Sequence, residues 1–303
     1  MKTQAIDVVK NISLEDFKKN YLSKQRPLVI KGLTKDTEAG RSWNLDYICR
    51  ICGEVQVDVY DNANPNKATA FTHPDLKMPF RDYLRSITRP EPSSLRMFLF
   101  NMFKLKPELR KDFPCPAIMR GVMGRVGFMF FGAKGIKVRI HQDMDFSNVL
   151  LTQFEGRKKV VLVEPRFSRL LYKLPFNTHS LVDLDQPDYE KYPALRALET
   201  QSCLLEPGDS LFMPSGYWHY ITYLDGGFAV SYRRLAIHLR WTWLGFLNLC
   251  IYMPFDKTMN HLIPQKWLAY KEQLAENRAN KALQMFTKNK EQKTQFVPSG
   301  AAS

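Results

Sequence analysis

The chain has 303 residues, is 45% hydrophobic and carries a formal charge of +14. That size and apolar content allow a full buried core, in one large β domain with attached helices or in two smaller domains. The charge would suit an acidic peptide, a nucleic acid or an anionic membrane surface. However, the basic residues are scattered rather than massed in a tail, and no helix-turn-helix, zinc-finger or RNA-binding signature accompanies them, so nucleic acid is disfavoured as a partner. Five cysteines and a start without an apolar secretory core point to a reducing cytoplasm.

Ser13, with Asp16 three residues on, reads as the cap of a first helix, and Arg26-Pro27-Leu28-Val29-Ile30-Lys31-Gly32 as a short strand. Residues 43–53 form an amphipathic helix on which Cys49 and Cys52 share a face, as buried thiols rather than half a zinc site. A half-buried strand at 56–60 is followed by a polar turn at 61–66, a helix at 78–87 and a break at Arg89-Pro90-Glu91-Pro92. Further strands are expected at 97–100, 126–132, 137–141, 148–154, 158–164, 201–205, 209–213 and 228–232. This spacing, without regular intervening helices, argues for a β-sandwich or a closed jelly-roll barrel.

The stretch 165–192 is expected to be a long loop with one helical segment. Beyond Tyr232 the chain turns basic, then uncharged over 241–255, then helical from Pro264 with one apolar stripe. The uncharged run falls short of the about 20 residues that cross a bilayer. Packing against the core or a second copy is favoured for it over a membrane surface. The divisions are N-terminal elements at 1–120, a barrel core at 121–235, a C-terminal helical segment at 236–290 suited to homodimerisation, and a disordered tail at 291–303.

Two motifs carry chemistry. His141-Gln142-Asp143 can aim an imidazole and a carboxylate at one ion from a single strand edge. Pro207 through His219 offers a turn, a strand and a tight bend that present a second imidazole. Two histidines and one carboxylate can fill one face of an octahedral iron(II) ion and leave the other open. His73, His179, His238 and His261 have no partner at ligand spacing and are expected on the surface or in satisfied positions.

From about Leu14 to Arg234 the chain resembles the cupin-like JmjC oxygenases, most closely the group containing the asparaginyl hydroxylase that acts on hypoxia-inducible factor. The resemblance is carried by Arg26 through Ile30, Phe131-Gly132-Ala133-Lys134-Gly135, His141-Gln142-Asp143 with Asn148, Gly156-Arg157-Lys158, Pro214 through His219, and Gly226-Gly227. It implies a mainly β fold, a double-stranded β-helix with N-terminal mixed elements and C-terminal helices. It also implies iron(II) held by His141, Asp143 and His219, with 2-oxoglutarate as co-substrate, Lys158 on its far carboxylate and Asn148 beside its metal-bound end.

The expected activity is hydroxylation of a protein side chain, peptide or small molecule, with release of succinate and CO2. A non-oxidative metal cupin acting as an isomerase or lyase, and a non-catalytic basic binding module, are the alternatives. The chain departs from the family where it has Val138 and Phe98 in place of a hydroxyl residue and a tyrosine that bind the co-substrate. Arg139 and Arg233 are candidates to replace those contacts, Arg139 provided no bulge separates it from His141. Asp145 is a candidate to meet a cationic substrate group.

Overall fold

The structure is a computed structural model that describes residues 1–61, 74–89, 91, 93–124 and 126–295, with side chains to 288. Most of the turn at 61–66, His73, Pro90 and Pro92 of the break, and residues 296–303 of the tail lie outside the described residues. Strand β1 (Lys2–Ala5) pairs parallel with β11 (Glu199–Leu205), and β2 (Asp7–Val9) parallel with β3 (Leu28–Ile30).

The helices that follow are capped as their sequences suggest. The Ser13 hydroxyl accepts from Asp16 N at 3.0 Å and opens α1 (Leu14–Phe17); Thr37 caps α2 (Glu38–Ser42), and Asn44 caps α3 (Leu45–Cys52). Cys52 is buried on α3. Strands β4 (Gln56–Asp61) and β5 (Leu76–Pro79) precede α4 (Phe80–Thr88), which begins two residues later than expected because Pro79 still belongs to β5. Strand β6 (Leu95–Phe100) leads through the short helices α5 (Met102–Leu105) and α6 (Leu109–Asp112) into the barrel.

The barrel strands are β7 (Gly127–Gly132), β8 (Lys137–His141), β9 (Asn148–Glu155), β10 (Lys158–Val163), β11, β12 (Ser210–Met213), β13 (Trp218–Tyr223) and β14 (Gly227–Arg234). Among the described residues they lie in two sheets, ordered β1-β11-β10-β13-β8 and β2-β3-β12-β9-β14-β7-β6-β4-β5. The sheets close over an apolar interior to which Val160 and Leu162 contribute from one side and Val149, Leu151, Met213 and Ala229 from the other. This is the mainly β jelly-roll that the strand spacing implies.

Both β9 and β14 are almost wholly buried because each face is covered. Their inner residues fill the barrel, while Leu150, Phe154, Phe228 and Val230 pack under the N-terminal helices with Trp43 and Tyr83. The outer face of the other sheet, with Ile140, Val161, Val163 and Trp218, is covered by the 165–198 region and by Ala275 and Ala279 of the last helix. Burying each such large apolar side chain contributes roughly 1.5–3 kcal/mol. The 165–198 region contains turns and the 3₁₀ turns Pro165–Phe167 and Pro193–Ala197, and no α-helix; the proline- and aspartate-rich composition favours turns over a continued ladder.

The C-terminal residues form α7 (Leu239–Leu247), a π-helical turn at Asn248–Tyr252, α8 (Met253–Leu262) and α9 (Pro264–Gln295). The uncharged run turns Gly245 and Asn248 inward and leaves Trp243, Phe246 and Ile251 exposed. Among the described residues no helix is long and apolar enough to cross a membrane. Buried Asp256 ties this unit to the 165–198 region. One of its carboxylate oxygens accepts from Trp267 Nε1 and Lys271 Nζ, each at 2.7 Å, and the other from Asn177 Nδ2 at 3.0 Å.

Candidate metal centre and co-substrate pocket

Strand β8 carries a bulge that decides which side chains face inward. His141 stands opposite His219 and Val138 opposite Ile221, so Arg139 and Ile140 together oppose the single residue Tyr220. The parity therefore resets: Val138 and His141 both face the interior, Ile140 packs into the outer cluster, and Arg139 is exposed. The inward rung expected to join Arg139 to His141 is thus broken, although the exposed Arg139 still lines the cavity.

The His141 and His219 rings lie 4.1 Å apart between centroids. One ligand atom from each of His141, Asp143 and His219 can be chosen so that all three lie within 4.8 Å of one another. His141 Nδ1 donates to Arg139 O at 2.8 Å, and His219 Nδ1 faces Tyr217 O at 3.4 Å. A carbonyl can only accept, so each imidazole keeps its proton on Nδ1 and leaves Nε2 as the electron-pair donor. Burial pushes both imidazoles below the usual histidine range, which keeps them neutral and able to ligate.

Gln142, between the two motif residues, points away and donates to Gly216 O, while its backbone N–H donates to Thr178 O at 2.8 Å. This contact couples the first motif to the bend that presents His219. Gly216 is required there: its φ is +73°, and a Cβ would lie 2.5 Å from the Trp241 ring.

Asp143 lies in the turn beyond β8. Burial alone would raise its carboxyl, but the Arg233 guanidinium beside it holds it well below the usual carboxylate range. Arg233 Nη2 donates to Asp143 Oδ1 at 2.8 Å; Nη1 donates to Asp145 Oδ1 at 2.8 Å and to Ser147 Oγ at 3.2 Å. Arg233, expected on the co-substrate, is therefore engaged by two carboxylates, and Asp145, expected to meet a cation of the substrate, already holds one from this chain.

A cavity of about 470 Å³ opens from the triad into the barrel. Lys158 lines it, 1% exposed, with Nζ 4.2 Å from the centroid of the Tyr223 ring. Among the described residues no carboxylate pairs with it, and burial lowers its pKa to about 7. Its neighbour Lys159 faces outward, 3.9 Å from Asp185, so the strand's pleat separates two lysines that periodicity alone could not. Ser231 also lines the cavity, and its buried hydroxyl has no hydrogen-bond partner among the described residues.

Asn148 does not line this cavity. Its Oδ1 accepts from Ser215 N at 3.1 Å and Gln25 Nε2 at 3.4 Å, and its Nδ2 donates to Leu235 O at 3.1 Å. The amide is spent on joining β9 to neighbouring backbone, which corrects its expected place beside the co-substrate.

Two further residues belong to this wall: His179, expected on the surface or in a satisfied position and here satisfied by Asn177, and Tyr223, not singled out in the sequence. His179 stacks on His141 with 5.4 Å between centroids, through an isolated bridge between the two residues, and its Nδ1 donates to Asn177 Oδ1 at 2.8 Å. Burial, with Arg96 nearby, lowers its pKa to about 4. Tyr223 is the other; its ring fits because Gly132 leaves room, where a Cβ would sit 2.8 Å from it. On the open side, Phe98 lies against Tyr60 at 4.4 Å, on a bulged part of β6 where Leu99 has a φ of +55°.

The donor set fits the groups that the motifs imply. Two neutral imidazole nitrogens and one carboxylate, with a cavity on the remaining side, suit iron(II). A buried amine that no carboxylate pairs with among the described residues suits a small carboxylate.

Residues 14–233 match the sequence profile of the Cupin-like domain. Over 232 residues the chain is 28% identical to lysine-specific demethylase 8 of Xenopus tropicalis, covering 73% of this chain and 50% of that protein. Over 245 residues it is 26% identical to tRNA wybutosine-synthesizing protein 5 of Gallus gallus, covering 73% and 74%. JmjC domain-containing protein D of Dictyostelium discoideum is 27% identical over 248 residues, covering 72% and 53%. The chain spans about half the length of the lysine-specific demethylases 8 it matches. A profile that covers most of the chain, over a jelly-roll with a His-Asp-His cluster at its mouth, places the chain in the Cupin-like domain family.

Proposed function

We propose that the chain is an iron(II)- and 2-oxoglutarate-dependent dioxygenase that hydroxylates a protein side chain, a peptide or a small molecule. The observation that carries this reading is Lys158, a buried amine that no carboxylate pairs with among the described residues, in the cavity that the triad opens onto. A cation placed there is costly unless an anion arrives to meet it. Along β13 the rung of Lys158, opposite Tyr223, stands four residues from His219, roughly 13 Å of strand at about 3.3 Å per residue. That interval, shortened by the lysine's own length, leaves room for a small dicarboxylate between amine and triad.

When bound, iron(II) would activate O2, with 2-oxoglutarate giving up two electrons as it is converted to succinate and CO2, so that one oxygen atom enters succinate and the other is placed on an unactivated carbon. The protein's residues do the rest. His141, Asp143 and His219 hold the metal; Lys158 takes the far carboxylate in a charge-assisted hydrogen bond; Val138, Ile221 and Leu151 line the space between and exclude water. The substrate enters where Phe98, Leu99, Met144 and Leu249 bound the cavity. Relatives named for a lysine demethylase and for tRNA wybutosine synthesis share this domain, so the barrel does not by itself select a substrate, and the narrower likeness to the asparaginyl hydroxylases rests on motif residues alone.

Anaerobic addition of iron(II) and 2-oxoglutarate should produce a visible charge-transfer absorption that His219→Ala abolishes, and admitting oxygen should yield succinate. A wild-type protein without the band and without succinate overturns the proposal and returns the alternatives of a non-oxidative metal cupin and a binding module. Incubation with a lysate of the source cell, followed by a search for species heavier by one oxygen, identifies the substrate.

A further inference from the structure

His141 and His219 are fixed by paired strands, but Asp143 is not. It lies beyond the end of β8, in the turn that leads to β9. The chain spends three more polar groups on that turn. Arg233, 7% exposed on β14, holds Asp143 Oδ1 with one guanidinium nitrogen and Asp145 Oδ1 and Ser147 Oγ with the other. Asp145 is held in turn by Ser147 N at 3.2 Å and Ser147 Oγ at 3.1 Å. The backbone of Arg233 is itself fixed, paired with Val149 of β9.

Such a cluster is a poor source of stability. Desolvating two carboxylates and a guanidinium costs about as much as their attraction returns, and apolar packing of the same volume does as well or better. Its geometry has a use that packing lacks. A planar guanidinium engaged at both ends is itself held in place, so it offers Asp143 Oδ1 a fixed donor and restricts how that carboxylate can turn. One Asp143 oxygen is occupied, and the other remains for an ion.

We propose that Arg233 is the positioning residue of the Asp143 carboxylate: it fixes that side chain so that one oxygen is offered to a divalent metal, with Asp145 and Ser147 as the anchor of the clamp. This rests on reading His141, Asp143 and His219 as a metal site.

The test uses Mn(II), titrated without 2-oxoglutarate and followed by the loss of the free-ion electron paramagnetic resonance signal, and Co(II), followed by visible absorption. Arg233→Met should bind Mn(II) about 10–100-fold more weakly than wild type, the usual cost of removing a partner of a metal ligand. It should also alter the Co(II) band shape. Arg233→Lys keeps the charge without the fork and should fall between the two. Asp145→Asn leaves Arg233 in place with a weaker anchor and should weaken Mn(II) binding less than Arg233→Met. Lys159→Ala, on the outer face, should match wild type.

Wild-type Mn(II) affinity and an unchanged Co(II) spectrum in a folded Arg233→Met protein would refute the clamp. Should that variant not fold, as judged by melting in the presence of a chelator, Asp145→Asn decides, and unchanged affinity there is equally fatal. If the wild-type protein binds neither ion, the metal reading of the triad falls, and the clamp falls with it.

Discussion

Replacing Lys158 by Met should make the protein more stable and less able to bind its co-substrate. Burial lowers the Lys158 ammonium from the usual value of 10.5 to about 7, so at pH 7 the folded chain carries a penalty of roughly 4 kcal/mol at 1.36 kcal/mol per pH unit. The face of the Tyr223 ring offsets part of this, and methionine fills nearly the same volume. A net gain of about 2 kcal/mol is expected, which at about 2 °C per kcal/mol for a chain of this size raises Tm by about 4 °C.

The sign with pH follows from the protons bound. Between about pH 7 and 10.5 the unfolded chain holds the Lys158 proton and the folded chain does not, so the folded state gains stability as pH rises across that window; below it the penalty is complete. The variant should lack this rise. In differential scanning calorimetry, 2-oxoglutarate with Mn(II) should raise Tm for wild type. Lys158→Met should lose about 10–100-fold in 2-oxoglutarate affinity, the equivalent of a charged hydrogen bond at about 1.5–3 kcal/mol. A variant that melts below wild type at pH 7 and binds 2-oxoglutarate as tightly would refute the argument at both points.

Gly216→Ala should lower Tm by the equivalent of about 1–3 kcal/mol, because the new Cβ both strains a φ of +73° and meets the Trp241 ring at 2.5 Å; thermal melting measures it, and Mn(II) affinity should drop as the bend shifts His219. Val138→Thr places a hydroxyl inside the bulged β8, facing the cavity, and isothermal titration should show 2-oxoglutarate binding about 3–10-fold more tightly for one added hydrogen bond.

Much of the barrel was legible because its strands are either continuous apolar runs or regular alternations, as in β9, β10 and β12, and because glycines punctuate them. The β1 strand was not, since Lys2–Ala5 is exposed throughout and gains only backbone pairing at an edge. Nor was β13, whose Trp-His-Tyr-Ile-Thr-Tyr run has His219 where a strand pattern would put an apolar residue. The triad showed through its spacing, and Lys158 through its Gly-x-Lys context. What could not be read were contacts that depend on register or on distant backbone. One extra residue in β8 takes Arg139 off the inner face, Asn148 finds Ser215 and Leu235, Arg233 crosses from β14 to the turn that holds Asp143, and His179 reaches His141 through a single bridge.

The Asp256 hub orders the making of the cavity in time. Asn177, which holds His179 against His141, is itself held by Asp256, and that carboxylate keeps its balance only when Trp267 and Lys271 of α9 are in place. On the ribosome the last barrel strand therefore emerges before its own wall can be finished. Trp267 and Lys271 of α9, which meet Asp256, are thus the last residues of this network to be synthesised, after every barrel strand.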